Sequence, residues 1–157
     1  MATEKMFTSE NIPDGSGMNI AVVAARFNAE ITEALTAGAL DALKMAKAKN
    51  VKLFNVPGCY ELPLVVKKLA ESGRYDAVVA LGAVVRGETP HFDYVAAETA
   101  AGLARASYDT GVPVSFGVLT TDDVGQAKDR AGGKHGNKGA DAAYTAVAMA
   151  RTLKSLD

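Results

Sequence analysis

The feature that most constrains the fold of this chain is the alternation of short apolar runs with longer segments of helical period. Four runs are rich in β-branched residues and too short for helices, so each predicts a buried strand. The third run, Asp76–Val85, is apolar after its first residue, as expected for a central parallel strand covered on both faces. The four predicted strands are Ile20–Ala25, Val51–Val56, Asp76–Val85 and Val112–Leu119.

Between these runs, apolar residues recur every three or four positions, which predicts helices. The first helix follows Asn28, which is expected to cap it, and has Ile31, Leu35 and Ala39 on one face. Strands that alternate with helices predict an α/β fold: a three-layer αβα sandwich with a four-stranded parallel sheet, flavodoxin-like, that binds ligands beyond the carboxyl ends of its strands. The other predicted helices are Glu61–Ser72, about Pro90 to Tyr108, Thr121–Ala131 and Gly139–Leu156.

The length and charge of the chain limit its functions. A chain of 157 residues predicts one domain, which we place at residues 18–157. Residues 1–17 end in the turn-rich segment Pro13–Gly17 and are expected to form a flexible N-terminal arm. With 17 Lys and Arg against 18 Asp and Glu, the chain lacks the basic charge that binds nucleic acid or anionic lipid. The expected partner is a small molecule or another protein.

The cysteine and histidine content excludes further classes. A single cysteine, Cys59, allows no internal disulfide, and the two histidines have no zinc-ligand spacing. The longest stretch without a charge, Thr110–Thr121, is much shorter than the ~20 residues of a transmembrane helix. The N-terminus is polar, without the apolar core of a signal peptide, and no Asn-x-Ser/Thr acceptor occurs. We expect a soluble cytoplasmic protein.

Polar and aromatic residues follow each predicted strand directly. Because the carboxyl ends of parallel strands share one edge of the sheet, these segments are expected to converge there and form a binding site. The four segments are Arg26–Asn28, Pro57–Pro63, Arg86–His91 and Thr120–Asp123.

The segment Arg86–His91 carries the most chemistry. Thr89 is expected to cap the next helix, with Pro90 at its first position, and the free N–H groups there suit a phosphate. His91 falls in the first turn, where the helix dipole disfavours imidazolium and a neutral ring can accept a proton. An ordinary cap followed by a surface histidine explains the segment equally well. A phosphate loop of nucleotide hydrolases is excluded, because Glu88 stands where the lysine is required.

A second basic region surrounds the glycines at positions 132, 133 and 136. It suits an anionic ligand, but a solvated loop is the interpretation that the sequence alone favours. The aromatic residues at strand ends allow either rim packing or stacking on a flat heterocycle. The basic residues are Arg130, Lys134, His135 and Lys138, and the aromatic ones are Phe27, Tyr60 and Phe116.

Two residues of the turn after the second strand are also open to interpretation. Glu61 either favours the N-terminus of its helix or accepts hydrogen bonds from ligand hydroxyls. Cys59 has no base beside it in the sequence and is expected to be a small apolar filler.

Five segments, taken in order, resemble the lumazine synthase family. The likeness covers about residues 19–155, and five motifs in consecutive order are far more specific than any one. Two departures occur: Cys59 and Tyr60 stand where a small residue and then Phe are usual, and the connection Lys44–Asn50 is short and lacks its customary Gly. The five segments are Arg26–Asn28, Val56–Pro63, Tyr75–Val95, Thr110–Thr121 and Gln126–Gly139.

The resemblance implies a transferase of riboflavin synthesis. Members condense 5-amino-6-(D-ribitylamino)uracil with 3,4-dihydroxy-2-butanone 4-phosphate and release phosphate and water, giving 6,7-dimethyl-8-ribityllumazine. Neither a metal nor an organic cofactor is implied. The family forms homopentamers, some of which pair into decamers or build sixty-subunit icosahedral shells, with active sites shared between neighbouring subunits.

The resemblance also implies roles for residues. Phe27 stacks on the pyrimidine ring, Glu61 binds ribityl hydroxyls, and His91 transfers protons. Arg130 grips the phosphate from the neighbouring subunit, which also supplies Phe116 and Lys138. The catalytic residues implied are His91, Arg130 and Lys138, and the substrate-binding residues are Phe27, Cys59, Tyr60, Glu61, Ala83, Val84, Val85, Glu88, Thr89, Phe116 and Arg130.

Two other functions are alternatives to the synthase. A catalytically silent family member, serving as a shell-forming or flavin-binding protein, would be expected to lack His91, Arg130 or Lys138, and all three are present. A flavodoxin-like carrier needs a Ser/Thr/Gly-rich phosphate loop after the first strand, and Arg26–Glu30 is not such a loop. We therefore expect the synthase.

Overall fold

A four-stranded parallel sheet organises the computed structural model, which describes residues 5–157. The strand order is β2-β1-β3-β4, with β1 and β3 in the centre. All four predicted strands are present, with ends displaced by at most two residues. Their bounds are β1 Asn19–Ala25, β2 Asn50–Val56, β3 Ala77–Val85 and β4 Val114–Thr121.

Helices cover both faces of this sheet. Helices α1 and α5 pack on one face, and α2 and α3 on the other, which confirms the predicted three-layer sandwich. The short α4 packs near the carboxyl end of β4. Across residues 5–157, no helix is both long and apolar enough to cross a membrane. The helices are α1 Ala29–Met45, α2 Leu62–Glu71, α3 His91–Thr110, α4 Val124–Arg130 and α5 Lys138–Ser155.

Strand β1 shows why the run at its position is apolar throughout. Ile20 and Val22 belong to the core under α1 and α5, whereas Ala21 and Val23 belong to the core under α2 and α3. All four are fully buried, because successive side chains of a strand point to opposite faces and both faces are covered. Burial of each Val or Ile side chain contributes about 1.5–3 kcal/mol relative to exposure.

Two predicted helix caps are wrong. Asn28 precedes α1, but its backbone is left-handed (φ 62°) and its side chain makes no capping bond, because its amide reaches across to β3 instead. Helix α3 begins at His91 and not at Pro90, which occupies the capping position without a side-chain bond. Thr89 is therefore one residue too early to act as the cap.

The basic loop predicted after α4 is an ordered hairpin. Strand β5 (Ala131–Gly133) pairs antiparallel with β6 (Gly136–Asn137). Gly132 and Gly136 have φ values of 102° and 77°, a region that favours glycine in tight turns. The His135 N–H donates a 2.7 Å hydrogen bond to the Asp129 oxygen, which ties the hairpin to α4.

The described part of the predicted arm lies against the rest of the chain. The Phe7 and Tyr144 ring centres are 5.5 Å apart, and the Gly15 N–H donates to the Ala46 oxygen at 2.6 Å. Asp14 Oδ2 pairs with Arg151 Nη2 at 3.1 Å. The division into an arm (1–17) and a domain (18–157) stays a prediction, and residues 1–4 lie outside the described residues.

Candidate active site

A partly open cavity of about 600 Å³ lies beyond the carboxyl ends of β1, β2 and β3. Three of the four predicted segments meet there. The fourth, Thr120–Asp123, includes the last two residues of β4 and contributes none of the lining residues. The lining consists of Phe27, Asn28, Gly58, Cys59, Tyr60, Glu61, Ala83, Val84, Val85, Gly87, Thr89, His91, Phe92, Tyr94 and Val95.

One wall of the cavity is the end of β3, which extends beyond its neighbour β1. The pairing of β3 with β4 continues to Val85, but its pairing with β1 stops at Leu81. Beyond Leu81, the edge of β3 that faces β1 therefore has no partner strand among residues 5–157. The last residues of β3, Ala83–Val85, line the cavity. On this edge the Ala83 oxygen already accepts from the Asn28 amide at 2.9 Å, and the backbone of Ala83 also bonds the Cys59 thiol. The donors and acceptors that remain for a flat polar ring therefore lie beyond Ala83.

The turn Cys59–Glu61 forms a second wall as a single turn of 3₁₀ helix. Its Glu61 N–H donates a 3.2 Å hydrogen bond to the Gly58 oxygen. Cys59 is 5% exposed and lies so close to Gly82 that a Cβ there would overlap its sulfur. This packing agrees with the expected role of Cys59 as a small filler.

The environment of Cys59 also determines its chemistry. Burial raises the pKa of its thiol from 9.0 to about 11, and the Glu61 carboxylate adds to the rise, whereas a backbone hydrogen bond with Ala83 opposes it. The thiol is therefore protonated at neutral pH. Because the thiolate is the nucleophilic form, the raised pKa disfavours a nucleophilic role for Cys59.

Three aromatic rings at the cavity remain largely uncovered. Phe27, Tyr60 and Tyr94 are 73%, 61% and 71% exposed, although all three line the cavity. Large rings at such exposure are available to pack against a flat ligand. Tyr94 was not predicted from the sequence, although its spacing of three from His91 places both residues on one side of α3.

The loop after β3 forms the third wall. Thr89 and His91 line the cavity, and Gly87 lies beside them. A Cβ at Gly87 would meet no atom within 4 Å, so the loop has open space at this point. Glu88 belongs to the same loop but is not among the lining residues. The N-terminus of α3 is thus directed at the cavity, where its dipole favours an anion.

Three predicted site residues lie elsewhere in the chain. Phe116 is on the edge strand β4 and is 49% exposed. Arg130 Nη1 donates to the Gln126 oxygen at 3.0 Å, and Lys138 Nζ lies 3.1 Å from Asp141 Oδ2. The chain does not bring these residues to its own cavity. Their assignment to a neighbouring subunit stays a prediction.

Potential metal ligands do not converge in the described chain. Over residues 5–157, no group of three or more His, Cys, Asp or Glu side chains is arranged to hold a metal ion. The residues that do converge are aromatic rings, an open strand edge, a helix N-terminus and one imidazole. They suit binding and proton transfer.

The fold and the cavity together define a three-layer α/β protein with a cavity at the carboxyl edge of its parallel sheet, where proteins of this architecture bind ligands. The model of the family described as 6,7-dimethyl-8-ribityllumazine synthase matches residues 17–154. The chain belongs to this family, which confirms the resemblance seen in the sequence motifs. A relative from Syntrophus aciditrophicus (strain SB), named 6,7-dimethyl-8-ribityllumazine synthase, is 55% identical over 142 residues, which cover 89% of this chain and 92% of the relative.

Proposed function

We propose that this chain is a transferase of riboflavin biosynthesis that makes 6,7-dimethyl-8-ribityllumazine. Its substrates are 5-amino-6-(D-ribitylamino)uracil and 3,4-dihydroxy-2-butanone 4-phosphate, and it releases phosphate and water. The observation that carries the proposal is the convergence of three strand-end segments on one cavity of about 600 Å³. The name of the family, which gives 6,7-dimethyl-8-ribityllumazine as the product, supports this pair of substrates.

The pyrimidine substrate fits the wall formed by β3. Its ring carries carbonyl and N–H groups in one plane, which suit the backbone groups that stay free beyond Ala83 at the end of β3. Phe27 lies at the same cavity with most of its ring free to stack on the flat face. Tyr60 and Glu61 line the cavity on the turn after β2, and in this proposal they contact the ribityl chain, with Glu61 accepting from its hydroxyls.

The phosphate of the second substrate fits the loop before α3. Backbone N–H groups at the N-terminus of a helix bind anions, and the helix dipole favours negative charge there. Gly87 and Thr89 line the cavity beside that terminus. Glu88 contributes through its backbone in this proposal, since its carboxylate would repel the anion.

His91 is the group that transfers protons. The chemistry needs an imine to form between the amine of the pyrimidine and the ketone, elimination of the phosphate, and ring closure. Each step moves a proton, and His91 lines the cavity at the first residue of α3. Holding two substrates in reacting geometry supplies up to about 7–11 kcal/mol of the barrier reduction in ideal cases.

The complete site requires a second subunit in this proposal. Phe116, Arg130 and Lys138 are absent from their own chain's cavity, and Phe116 leaves half of its ring exposed on an edge strand. We infer a homopentamer in which these side chains complete the cavity of the neighbour, with Arg130 gripping the phosphate. Pairing into decamers or icosahedral shells, and a cytoplasmic location, belong to the same proposal.

The test is to mix the purified protein with both substrates. We expect the absorbance and fluorescence of the lumazine to appear, with one phosphate released per product, and neither signal when either substrate is omitted. Light scattering on the same sample is expected to give a multiple of five chains. A folded assembly that forms no product from both substrates, but binds flavin, would instead identify a catalytically silent shell or flavin-binding protein.

A further inference from the structure

The side chain of Arg86 joins three elements at the rim of the cavity. Its backbone N–H, directly after β3, donates to the Thr121 oxygen at 2.8 Å. Its Nε donates to Asp122 Oδ1 at 3.1 Å, in the segment that follows β4, and its Nη1 donates to Asp93 Oδ1 at 3.4 Å, in the first turn of α3. One guanidinium therefore connects the ends of two strands to the start of the helix that carries His91.

The same guanidinium lies over an aromatic ring of α3. Its Cζ is 4.4 Å from the centre of the Phe92 ring, which lines the cavity beside His91. A planar guanidinium combines this stacking with hydrogen bonds to two carboxylates, whereas the ammonium of a lysine is a point charge with no such geometry. The contacts of Arg86 are therefore specific to arginine.

These contacts bracket the loop that faces the proposed phosphate. Arg86 precedes the loop Gly87–Pro90, and Asp93 follows it, so their ion pair holds the two ends together. Gly87 has no neighbour within 4 Å of a Cβ position, and glycine restricts the backbone little. The position of Thr89 and His91 relative to β3 thus depends on how the loop ends are held.

The exposure of the two Arg86 ion pairs indicates that they affect the position of the loop more than the stability of the whole fold. The side chains of Arg86, Asp93 and Asp122 are 45%, 62% and 68% exposed. Ion pairs at such exposure contribute little to the stability of a fold, because water and salt screen them. Loss of Arg86 is therefore expected to displace the loop without unfolding the chain.

We propose that Arg86 is a positioning residue, which holds the loop Gly87–Pro90 and the His91 ring in reacting geometry against β3 through Asp93, Asp122 and Phe92. This inference rests on the proposed function for its kinetic consequence. It does not require Arg86 to touch either substrate.

The test compares Arg86→Met, which keeps the length of the side chain, with Arg86→Lys. The matched control is Arg74→Met, since Arg74 also lies over a ring, 5.8 Å from the centre of Tyr75, but precedes β3 at the opposite edge of the sheet. Because misplacement of about 1 Å can cost on the order of 100-fold, we expect kcat/KM for the phosphate substrate to fall about 10- to 100-fold in Arg86→Met. The fall is smaller in Arg86→Lys and absent in Arg74→Met, with unchanged assembly and melting temperature.

A second measurement does not depend on activity. The chain has two histidines, so the ring resonances of His91 can be followed by NMR with those of His135 as internal reference. We expect Arg86→Met to shift the His91 resonances and leave those of His135 in place, and Arg74→Met to shift neither. If the wild type formed no product, the proposed function would be refuted, and the NMR comparison would still test the positioning role of Arg86. Unmoved His91 resonances, or a loss of activity equal to the loss of assembled protein, would overturn the positioning role.

Discussion

The side-chain amide of Asn28 donates a 2.9 Å hydrogen bond to the backbone oxygen of Ala83. This bond joins the turn after β1 to the end of β3 that extends beyond the sheet ladder. Both residues line the cavity, so one side chain supports two of its walls. Asn28 also holds a left-handed backbone (φ 62°), which asparagine tolerates better than most residues.

Two replacements of Asn28 separate the contribution of its hydrogen bond from that of its left-handed backbone. Asn28→Gly loses the hydrogen bond but keeps the backbone, and is expected to lower the free energy of unfolding by about 0.5–1.5 kcal/mol. Asn28→Ala also loses the hydrogen bond. In addition, alanine is strained in the left-handed backbone, which adds about 1–2 kcal/mol to the loss. Denaturant unfolding of the two variants measures the difference. Equal losses would mean that the backbone at position 28 carries no strain.

Phe27 is expected to contribute mainly through stacking. Phe27→Ala should raise the KM for the pyrimidine substrate about 10- to 100-fold, since stacking of a base on an aromatic ring contributes about 1–3 kcal/mol. Phe27→Tyr keeps the ring and is the control, with a KM near that of the wild type. Steady-state kinetics with the phosphate substrate saturating gives both values. If Phe27→Ala binds the pyrimidine normally, the ring does not stack.

His91→Ala is expected to slow turnover while the assembly stays intact. Loss of a general acid–base group costs on the order of 100-fold or more in rate, so kcat should fall by about that factor. The KM values are expected to change less, because the ring acts in proton transfer more than in binding. Light scattering confirms that the variant assembles. Turnover at the rate of the wild type would remove the role assigned to this residue.

Arg130 is expected to act on the phosphate substrate. Arg130→Ala should raise its KM about 10- to 100-fold, because a hydrogen bond to a charged group contributes about 1.5–3 kcal/mol, and should leave the KM for the pyrimidine almost unchanged. Lys128→Ala is the control: Lys128 lies on the same helix, α4, and its Nζ is 3.0 Å from Glu30 of its own chain. An unchanged KM for the phosphate substrate in Arg130→Ala would contradict the phosphate grip.

The buried thiol of Cys59 is expected to make the folded chain less stable at high pH. The folded chain keeps this proton up to about pH 11, because burial raises the pKa of the thiol, whereas an unfolded thiol loses its proton near pH 9.0. Between these values the unfolded state releases a proton that the folded state retains, so the free energy of unfolding falls as the pH rises. The contribution is complete below pH 9 and decreases by about 2–3 kcal/mol by pH 11.

Comparison with Cys59→Ala isolates this contribution. Tyrosines and lysines titrate in both proteins and cancel in the difference between their free energies of unfolding. We expect that difference to change by about 2–3 kcal/mol between pH 8 and pH 11, measured by denaturant unfolding at each pH. A difference that stays constant over the range would mean that the thiol has its ordinary pKa in the folded chain.

The sequence predicted the strands and helices well because their signals are local. Each strand is a short apolar run and each helix has a period of three to four, patterns that depend only on neighbouring residues. The hairpin of β5 and β6 was not predicted, because its local signal is that of a loop. Ala131–Asn137 is short, glycine-rich and without apolar alternation. Its order comes from contacts with α4, including that of His135 with Asp129.

The candidate site was predicted in part. Because parallel strands end at one edge, the sequence predicted that Phe27, Glu61 and His91 would meet, and the structure places all three at one cavity. It also predicted Thr120–Asp123 there, but Asp122 instead binds Arg86. Tyr94 was missed because an aromatic residue at helical spacing is more often part of a core, and only the packing shows that its ring is exposed.

By itself, the sequence determined the class of fold, the edge of the sheet at which the cavity lies, and the family, because apolar periodicity and the order of motifs can be read along the chain. The tertiary structure alone decided that β3 extends beyond β1, that Asn28 reaches Ala83 instead of capping its own helix, and that Arg86, after β3, bonds Asp122, after β4. Each of these depends on the relative register of strands distant in sequence. A local pattern predicts that a strand exists, but where it stops against its neighbour follows from the packing of both faces of the sheet.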